Sequence, residues 1–245
     1  MRVLVVGESW ASLGLHQKGF TSYVTSAYEE GGTPLLEALQ GHADVTYIRN
    51  HEVPARFPDT PEQMSEYDVI VFSDVGADTL LLHPETLQSK IRPNRLRSVE
   101  QYVARGGGFA MIGGWMSFAG FSNQARYHGT AIEELLPVTI ATYDDRVETP
   151  EGIRPVVRTS SHPILAGISG EWPRMLGYNR FEAKPGAQVL ATIGDDPFLV
   201  VGGHGAGRAL AYASDCAPHW GPPEYLSWEH YRRFWRQAVS WLAGS

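Results

Sequence analysis

Short apolar runs, separated by helix signals, most constrain how this chain can fold. Runs of this kind are typical of strands that helices cover on both faces of a sheet. Helix signals lie between them, with proline after a capping residue at Thr33 and Thr60 and a helical apolar face over 96–103. The pattern predicts an α/β fold with a doubly wound, mainly parallel sheet flanked by helices. The runs are Arg2–Gly7, Val69–Ser73 and 109–112, and Asp44–Ile48 is a further strand candidate.

The second half of the chain predicts a different arrangement of strands. A strand over 138–142 precedes three short strands, which indicate an antiparallel extension or edge, at 188–193, 198–202 and 208–213. Apolar residues at helical spacing predict a last helix over about 228–242. No linker or repeat interrupts the chain, so we expect one domain, residues 1–245. The stretch that holds His16 and Phe20 is expected to be an irregular lid over a pocket.

Composition excludes several classes of protein. The apolar fraction of 43% supports a packed core, and a net charge of -7 with only 20 Lys and Arg argues against binding nucleic acid. No run approaches the length of a membrane span, and the single cysteine excludes an intrachain disulfide. We therefore expect a cytoplasmic protein that binds a small molecule. The 7 Trp and 11 Tyr leave room for an aromatic interface, so a homo-oligomer is a further expectation.

Polar, acidic and aromatic residues follow the ends of the predicted strands. Ligands of open α/β sheets bind beyond the carboxyl ends of the strands, so these segments predict a small-molecule pocket. Ordinary turn and capping chemistry is the alternative, because Asp, Ser and Gly are common after any strand. The candidate ligand-binding residues are Glu8, Trp10, Asp74, Gly76, Gly113, Gly114, Trp115, Ser117 and Trp220.

The segment after the last strand holds the candidate catalytic residues Asp215, Cys216 and His219. An aspartate can orient an imidazole so that His219 exchanges protons near neutral pH. A neighbouring positive charge would turn Cys216 into a reactive thiolate. The alternatives are a structural hydrogen bond between Asp215 and His219, and a cysteine that is a small buried apolar residue.

Two further segments supply ligand-binding candidates. Asp145 and Arg146 lie in the charged run YDDRVE, where the guanidinium can clamp a carboxylate or phosphate. An internal ion-pair cluster or a subunit contact is the alternative for that run. His128 precedes a predicted helix cap at Thr130 and would overhang the same pocket. No metal-ligand spacing is present, and the glycines at 106–108 and 203–207 read as turns, so no metal and no cofactor are expected.

Several blocks together carry a family resemblance over nearly the whole chain. The chain resembles the glutamine amidotransferase-like proteins, an offshoot of the class I glutamine amidotransferase fold related to trehalose-utilisation-type proteins. The resemblance implies a flavodoxin-like sheet. The blocks are GGTPLLEAL, YDVIVFSDVGAD, GGGFAMIGGWMSFAG, YDDRVE, HPIL and SDCAPHWGPPEYLSWEHYRRFWRQAVSWL.

The chain departs from that family pattern where the chemistry would lie. Class I amidotransferases place a nucleophilic cysteine in a tight strand-to-helix turn, but the corresponding turn here runs from Ile112 to Ser117 without cysteine. His162-Pro163 continues with Ile164 rather than glutamate. Glutamine hydrolysis by the standard triad is therefore not expected. We hypothesise a hydrolase or transferase for a small polar amide or carbohydrate-like ligand, with the amides of Gly113 and Gly114 stabilising negative charge. A catalytically silent binding module is the alternative.

Overall fold

An eight-stranded sheet forms the centre of the molecule in a computed structural model that describes residues 1–244. Ser245, the last residue of the predicted domain, lies outside the described residues. The strands are β1 (Arg2–Gly7), β2 (Ser9–Lys18), β3 (Thr21–Glu30), β4 (Asp44–Ile48), β5 (Val69–Ser73), β6 (Gly108–Ile112), β7 (Val138–Ile140), β8 (Arg146–Ile153), β9 (Pro155–Val157), β10 (Met175–Asn179), β11 (Phe181–Ala183), β12 (Gln188–Ile193), β13 (Asp196–His204) and β14 (Gly207–Tyr212). The α-helices are α1 (Thr33–Leu39), α2 (Val53–Arg56), α3 (Pro61–Met64), α4 (Ala77–Leu81), α5 (Arg95–Ala104), α6 (Ala131–Leu135), α7 (Pro223–Leu226) and α8 (Tyr231–Leu242).

The strand order of the central sheet is β4-β1-β5-β6-β14-β13-β12-β9. The pairs from β4 through β14 are parallel, and β13, β12 and β9 extend the sheet with antiparallel pairs. The predicted α/β fold with a mainly parallel sheet is confirmed, and so is the antiparallel extension.

Helices cover both faces because the chain crosses over in both directions. The β1–α1–β4 connection runs toward one edge, and the β5–β6 connection through α5 runs toward the other, so right-handed crossovers put α1 and α5 on opposite faces. Helix α8 packs beside α1 and against β6 and β14. Strand β5 is buried along its whole length, as its unbroken apolar sequence predicts. The carboxyl ends of the parallel strands therefore meet at one edge of the core.

Local helix signals predicted most helix positions to within a few residues. The Thr60 and Gln63 side chains form a reciprocal capping box at the start of α3. The last helix starts at Tyr231 rather than at 228, because the chain turns there after the short helix α7. The predicted strand over 138–142 is the shorter β7.

The expected irregular lid after the first strand is wrong. Residues 9–30 form an antiparallel hairpin of two ten-residue strands, β2 and β3, that turns at Gly19 and Phe20. Gly19 adopts a φ of +59°, which a tight turn requires and glycine adopts without strain. Apolar and polar side chains alternate from Ala11 to His16, which is the period-two signal that the prediction overlooked.

The charged segment near Tyr143 leads into β8, a strand that the sequence pattern missed together with its partner β10. Strand β8 pairs antiparallel with β10, and β7 pairs with β11, outside the central sheet. These pairs follow β6 in the chain, and none of their residues lines the cavity described below. None of the helices described over residues 1–244 is long and apolar enough to cross a membrane.

Candidate functional site

A cavity of about 480 Å³ opens at the carboxyl ends of β1, β5, β6 and β14. This is the edge of an open α/β sheet where ligands bind. Acidic side chains and aromatic rings share its wall, as the sequence predicted for these strand ends. The lining residues are Glu8, Trp10, Asp74, Trp115, Met116, Phe121, Gln124, Asp215, Pro218 and His219.

Strained backbone holds three of the lining residues in place. Glu8, Asp74 and His219 have φ angles of 48°, 47° and 111°, a region that residues other than glycine rarely adopt. The Glu8 amide donates 2.8 Å to the Ser73 carbonyl oxygen, and a Cβ on the preceding Gly7 would lie only 2.0 Å from that oxygen. Non-glycine residues with positive φ concentrate at functional sites, where surrounding structure must hold them. The strain therefore marks the strand ends as positions where side-chain direction matters.

Three carboxyl groups gather in this cavity, and burial changes their charge states. Glu8 and Asp215 are almost fully buried. Burial, followed by the nearby Asp74 charge, raises the pKa of Glu8 to about 8. Burial, then the charges of Glu8 and Asp74, raises the pKa of Asp215 well above its usual range. Burial also raises the pKa of Asp74, which the Met116 amide partly offsets by donating 2.6 Å to its Oδ1. The cavity therefore holds proton-bearing carboxyl groups at neutral pH.

Cys216 lies under these carboxyls rather than in the cavity. Its side chain is 0% exposed, and its Sγ is 3.5 Å from the Ser73 hydroxyl. Carboxylate oxygens of Glu8 and Asp215 and this Sγ all lie within 4.8 Å of one another. Burial, then those two acidic neighbours, raises the pKa of the thiol well above its usual range. This environment opposes the reactive thiolate that the sequence left open.

His219 sits at the mouth of the cavity between two indole rings. Its ring meets Trp115 edge-on at 4.9 Å between centroids and stacks on Trp220 at 5.5 Å. Burial lowers the pKa of His219 below its usual value, so the imidazole is neutral at pH 7. Within residues 1–244, no hydrogen bond joins Asp215 to His219. The carboxyl of Asp215 instead accepts 2.9 Å from the Ala217 amide, so it shapes the turn.

Glu148 on β8 joins the two indoles that flank His219. The Trp115 Nε1 donates 3.2 Å to Oε1 of Glu148, and the Trp220 Nε1 donates 2.9 Å to its Oε2. The guanidinium of Arg146 lies 4.9 Å from the Trp115 ring centroid and 4.0 Å from that of Phe121. Arg146 also pairs with Asp144 at 2.8 Å. These residues brace the aromatic wall from behind, so Arg146 does not line the cavity as the sequence suggested.

In the turn after β6, the backbone amides of Gly113 and Gly114 donate hydrogen bonds within the fold. The sequence hypothesis expected these amides to stabilise negative charge on a ligand. The Gly113 amide donates 2.8 Å to the Tyr212 carbonyl, and the Gly114 amide donates 2.9 Å to Oδ1 of Asn179. The Ser117 hydroxyl donates 2.6 Å to the Ile112 carbonyl and accepts from the Asp74 amide. The proposed anion-stabilising role of the two glycine amides is therefore wrong, because both already have partners inside the fold.

Asp145 supports this turn from outside the cavity. It is buried and accepts hydrogen bonds from the Ala119 and Gly120 amides, and from Nδ2 of Asn179 at 2.9 Å. Asn179 thus links Asp145 to the Gly114 amide. Asp145 acts as a structural residue here, rather than as part of the cavity wall.

His128 and Gly76 also lie outside the cavity wall. His128 Nδ1 lies 2.9 Å from the Ile140 carbonyl oxygen and 3.3 Å from the Glu133 carboxylate. Gly76 lies against Met116, whose Cε would be 2.8 Å from an added Cβ. Neither residue lines the cavity.

A protein-family comparison covers almost the whole chain. Residues 2–244 match the model of a family described as "Putative glutamine amidotransferase". The chain belongs to this family. The resemblance seen in the sequence blocks is confirmed, whereas the missing cysteine in the turn after β6 separates this glutamine amidotransferase-like protein from the triad enzymes of the fold.

Two solved structures are similar to this amidotransferase-like chain in sequence and fold. The cytoplasmic protein STM3548 from Salmonella typhimurium is 43% identical, with a TM-score of 0.95 and coverage of 99% of both chains. The cytoplasmic protein STM1381 from Salmonella typhimurium LT2 is 46% identical, also with a TM-score of 0.95 and 99% coverage of both. The fold is therefore shared along the full described chain.

A more distant structure shares the fold alone. A ThuA-like protein from Parabacteroides merdae ATCC 43184 is 12% identical, with a TM-score of 0.58 and coverage of 99% of this chain and 89% of the other. Comparison with curated proteins produced no significant match.

The structure places fewer than half of the predicted site residues of this amidotransferase-like protein on the cavity wall. Those on the cavity wall are Glu8, Trp10, Asp74, Trp115, Asp215 and His219. Sequence reasoning missed four wall residues. They follow β6 or β14 in the chain, and this position was the signal that could have identified them. They are Met116, Phe121, Gln124 and Pro218. It also missed the bracing role of Asn179, which no local pattern marks.

Proposed function

We propose that the cavity binds a small polyhydroxylated, carbohydrate-like molecule and exchanges protons with it. The observation that carries this proposal is the meeting of aromatic rings and protonated carboxyl groups in one cavity of about 480 Å³. Aromatic faces pack on the apolar C–H faces of a sugar-like ring, while carboxyl groups hydrogen-bond its hydroxyls. A neutral carboxyl both donates and accepts, which matches a hydroxyl better than a purely accepting carboxylate does.

Amide hydrolysis by a covalent route fits the cavity less well. The thiol of Cys216 is fully buried, and the hydroxyl of Ser117 is engaged by backbone groups. The Gly113 and Gly114 amides, which an oxyanion would need, have partners in the fold. These observations favour the carbohydrate-like ligand over the small polar amide.

Two groups of the cavity have charge states suited to proton transfer. Glu8, with a pKa of about 8, is mostly protonated at pH 7 and acts as the acid. His219, with a lowered pKa, is neutral and acts as the base. Opposite shifts of two titratable groups in one site are a recurrent arrangement for acid–base catalysis. Asp74, whose charge acts on His219, orients or stabilises the imidazolium that forms.

The binding step is tested by calorimetric titration with a panel of monosaccharides, polyols and sugar acids. We expect saturable binding by at least one member, weakened about tenfold or more in Trp115→Ala because the ring supplies stacking area. Tyr143→Ala, which removes an exposed aromatic residue away from the cavity wall, is the matched control. A panel that shows no binding, or equal weakening by both variants, contradicts the proposal.

The chemical step is tested by following each bound ligand for conversion by NMR. We expect turnover that Glu8→Gln and His219→Ala each reduce by about 100-fold or more, while ligand affinity in Glu8→Gln stays close to that of the parent. Saturable binding without conversion of any ligand supports the silent binding module instead. The buried thiol of Cys216 and the engaged hydroxyl of Ser117 favour that second function, because neither is free to act as a nucleophile. The occupied amides of Gly113 and Gly114 favour it as well, because they are not free to stabilise an oxyanion.

A further inference from the structure

The β2–β3 hairpin presents an apolar face that no other described part of the chain covers. Residues directly opposite each other in the pairing register share a face, and one face carries Ala11 with Tyr28, Leu13 with Ser26, and Leu15 with Val24. Leu13 and Leu15 are each 76% exposed, and Val24 is 64% exposed. Contiguous exposed apolar side chains of this kind mark interaction surfaces.

The opposite face of the hairpin is more polar, although it also carries Trp10 and Tyr23, and its side chains contact one another. The Ser12 hydroxyl lies 3.5 Å from Oε1 of Glu29, and Nε2 of His16 lies 2.9 Å from the Thr25 hydroxyl. The His16 ring stacks on Tyr23 at 4.8 Å. Antiparallel sheets with this sidedness normally pack their apolar face on another layer. The hairpin therefore has the residue pattern of a half-buried sheet, but no other described part of the chain packs on its apolar face.

Over residues 1–244, the hydrogen bonds and ion pairs between the hairpin and the body of the protein lie at the base of the hairpin. Asn50 hydrogen-bonds the hydroxyl and carbonyl of Ser9 at 2.9 and 2.6 Å. The Tyr28 hydroxyl lies 2.8 Å from His51, and Glu30 pairs with Arg49 at 2.6 Å. The strands β2 and β3 form a sheet of their own. A two-stranded hairpin is marginal in water, and stable ones gain further strands or a packed apolar face.

We propose that this apolar face packs on the same face of a second copy of the chain. None of the side chains at its centre is charged, although the whole chain has a net charge of -7. Two copies can therefore meet here without placing like charges in contact, and an oppositely charged partner gains nothing from the face. A two-fold axis brings identical patches together, so the face needs only to be complementary to itself.

The size of the face sets the strength of this contact. Ten-residue strands extend about 33 Å, and two strands are about 10 Å wide, so each copy contributes a footprint of roughly 300 Å². A standard stable interface buries about 800 Å² on each partner. The dimer is therefore reversible, and its population depends on protein concentration.

Sedimentation velocity over a dilution series tests the proposed contact. Two variants at adjacent positions, one on each face of the hairpin, are compared with the parent protein. We expect the parent protein to shift from dimer to monomer on dilution. Val24→Glu places a charge on the apolar face and is expected to be monomeric at every concentration, whereas Thr25→Glu, on the polar face, follows the parent. Both residues lie outside the core, so the body stays folded. A parent that is monomeric throughout, a dimeric Val24→Glu, or a Thr25→Glu that is monomeric throughout overturns the proposal.

Crosslinking tests which surfaces meet. Ser26→Cys introduces a thiol at the centre of the apolar face, while the native Cys216 is buried. We expect a short bismaleimide to link two Ser26→Cys chains and to leave Thr25→Cys chains unlinked. A dimer that persists in solution without linkage through residue 26 overturns the face-to-face packing.

Discussion

The Ser73 hydroxyl donates a hydrogen bond to the carboxyl of Glu8 across the ends of two adjacent parallel strands. This contact favours the ionised carboxyl, but burial has the larger effect and raises the pKa of Glu8 to about 8. The carboxyl at the floor of the cavity is therefore mostly uncharged at neutral pH. Its charge state connects the stability of the fold to the chemistry proposed for the cavity.

Glu8 makes the free energy of unfolding depend on pH. The folded protein holds a proton on Glu8 that the unfolded chain releases above about pH 4.5, so stability from this group is full below that pH and is lost as pH rises through about 8. Glu8→Gln removes the titration. We expect the free energy of unfolding, measured with denaturant, to fall between pH 5 and pH 8 in both proteins. The fall should be smaller by a few kcal/mol in Glu8→Gln than in the parent. Parallel pH profiles for the two proteins contradict the assignment.

Cys216 should react slowly with thiol reagents in the native protein. Its thiol is fully buried, and burial with two acidic neighbours raises its pKa. We expect labelling at pH 7 to be slower by about 100-fold or more than in guanidinium-unfolded protein, with a rate that still rises above pH 9. Because the chain has one cysteine, the signal has one source. Rapid native labelling that levels off near pH 7 would establish a thiolate and reopen covalent catalysis.

Gly7 should tolerate no side chain. An alanine Cβ there would lie 2.0 Å from the Ser73 carbonyl oxygen, in addition to the strain of a φ of +104°. We expect Gly7→Ala to lose more than about 3 kcal/mol of unfolding free energy or to fail to fold. Gly41, with a φ of +72° and open space around it, is the matched position. Gly41→Ala should lose only about 1–2 kcal/mol, and equal losses at the two glycines would refute the close approach.

Glu148 should affect ligand binding more than stability. Its carboxylate accepts hydrogen bonds from the indoles of Trp115 and Trp220, and its side chain is 46% exposed. We expect Glu148→Ala to weaken ligand affinity by about tenfold through loss of ring orientation, with less than about 1 kcal/mol of destabilisation. Glu151→Ala, on the same strand and exposed, is the control for charge removal. If both variants bind ligand with the same affinity, the hydrogen bonds from Glu148 to the indoles do not contribute to ligand binding.

Local sequence signals were sufficient for the parallel half of the fold. The bounds of β1 and β5 follow directly from their apolar runs, because a strand covered on both faces needs apolar side chains. The same reasoning placed Glu8, Asp74 and His219 near one another, since parallel strands end at one edge of the sheet. The exposed hairpin was missed because its regular alternation spans only residues 11–16, and because its exposed strands lack the long apolar runs that marked the core strands.

The sequence by itself determined the α/β class, the order of the main elements, and which polar residues stand at the strand ends, because these depend on neighbours within a few residues. Only the tertiary structure decided what those residues can do. Burial in the core, and then the charge of Asp74, raises the pKa of Glu8 so that it keeps its proton at neutral pH. The Asn179 side chain accepts a hydrogen bond from the Gly114 amide, 65 residues away in the chain. Desolvation and hydrogen-bond occupancy depend on distant parts of the chain that fold together, so no local pattern contains them.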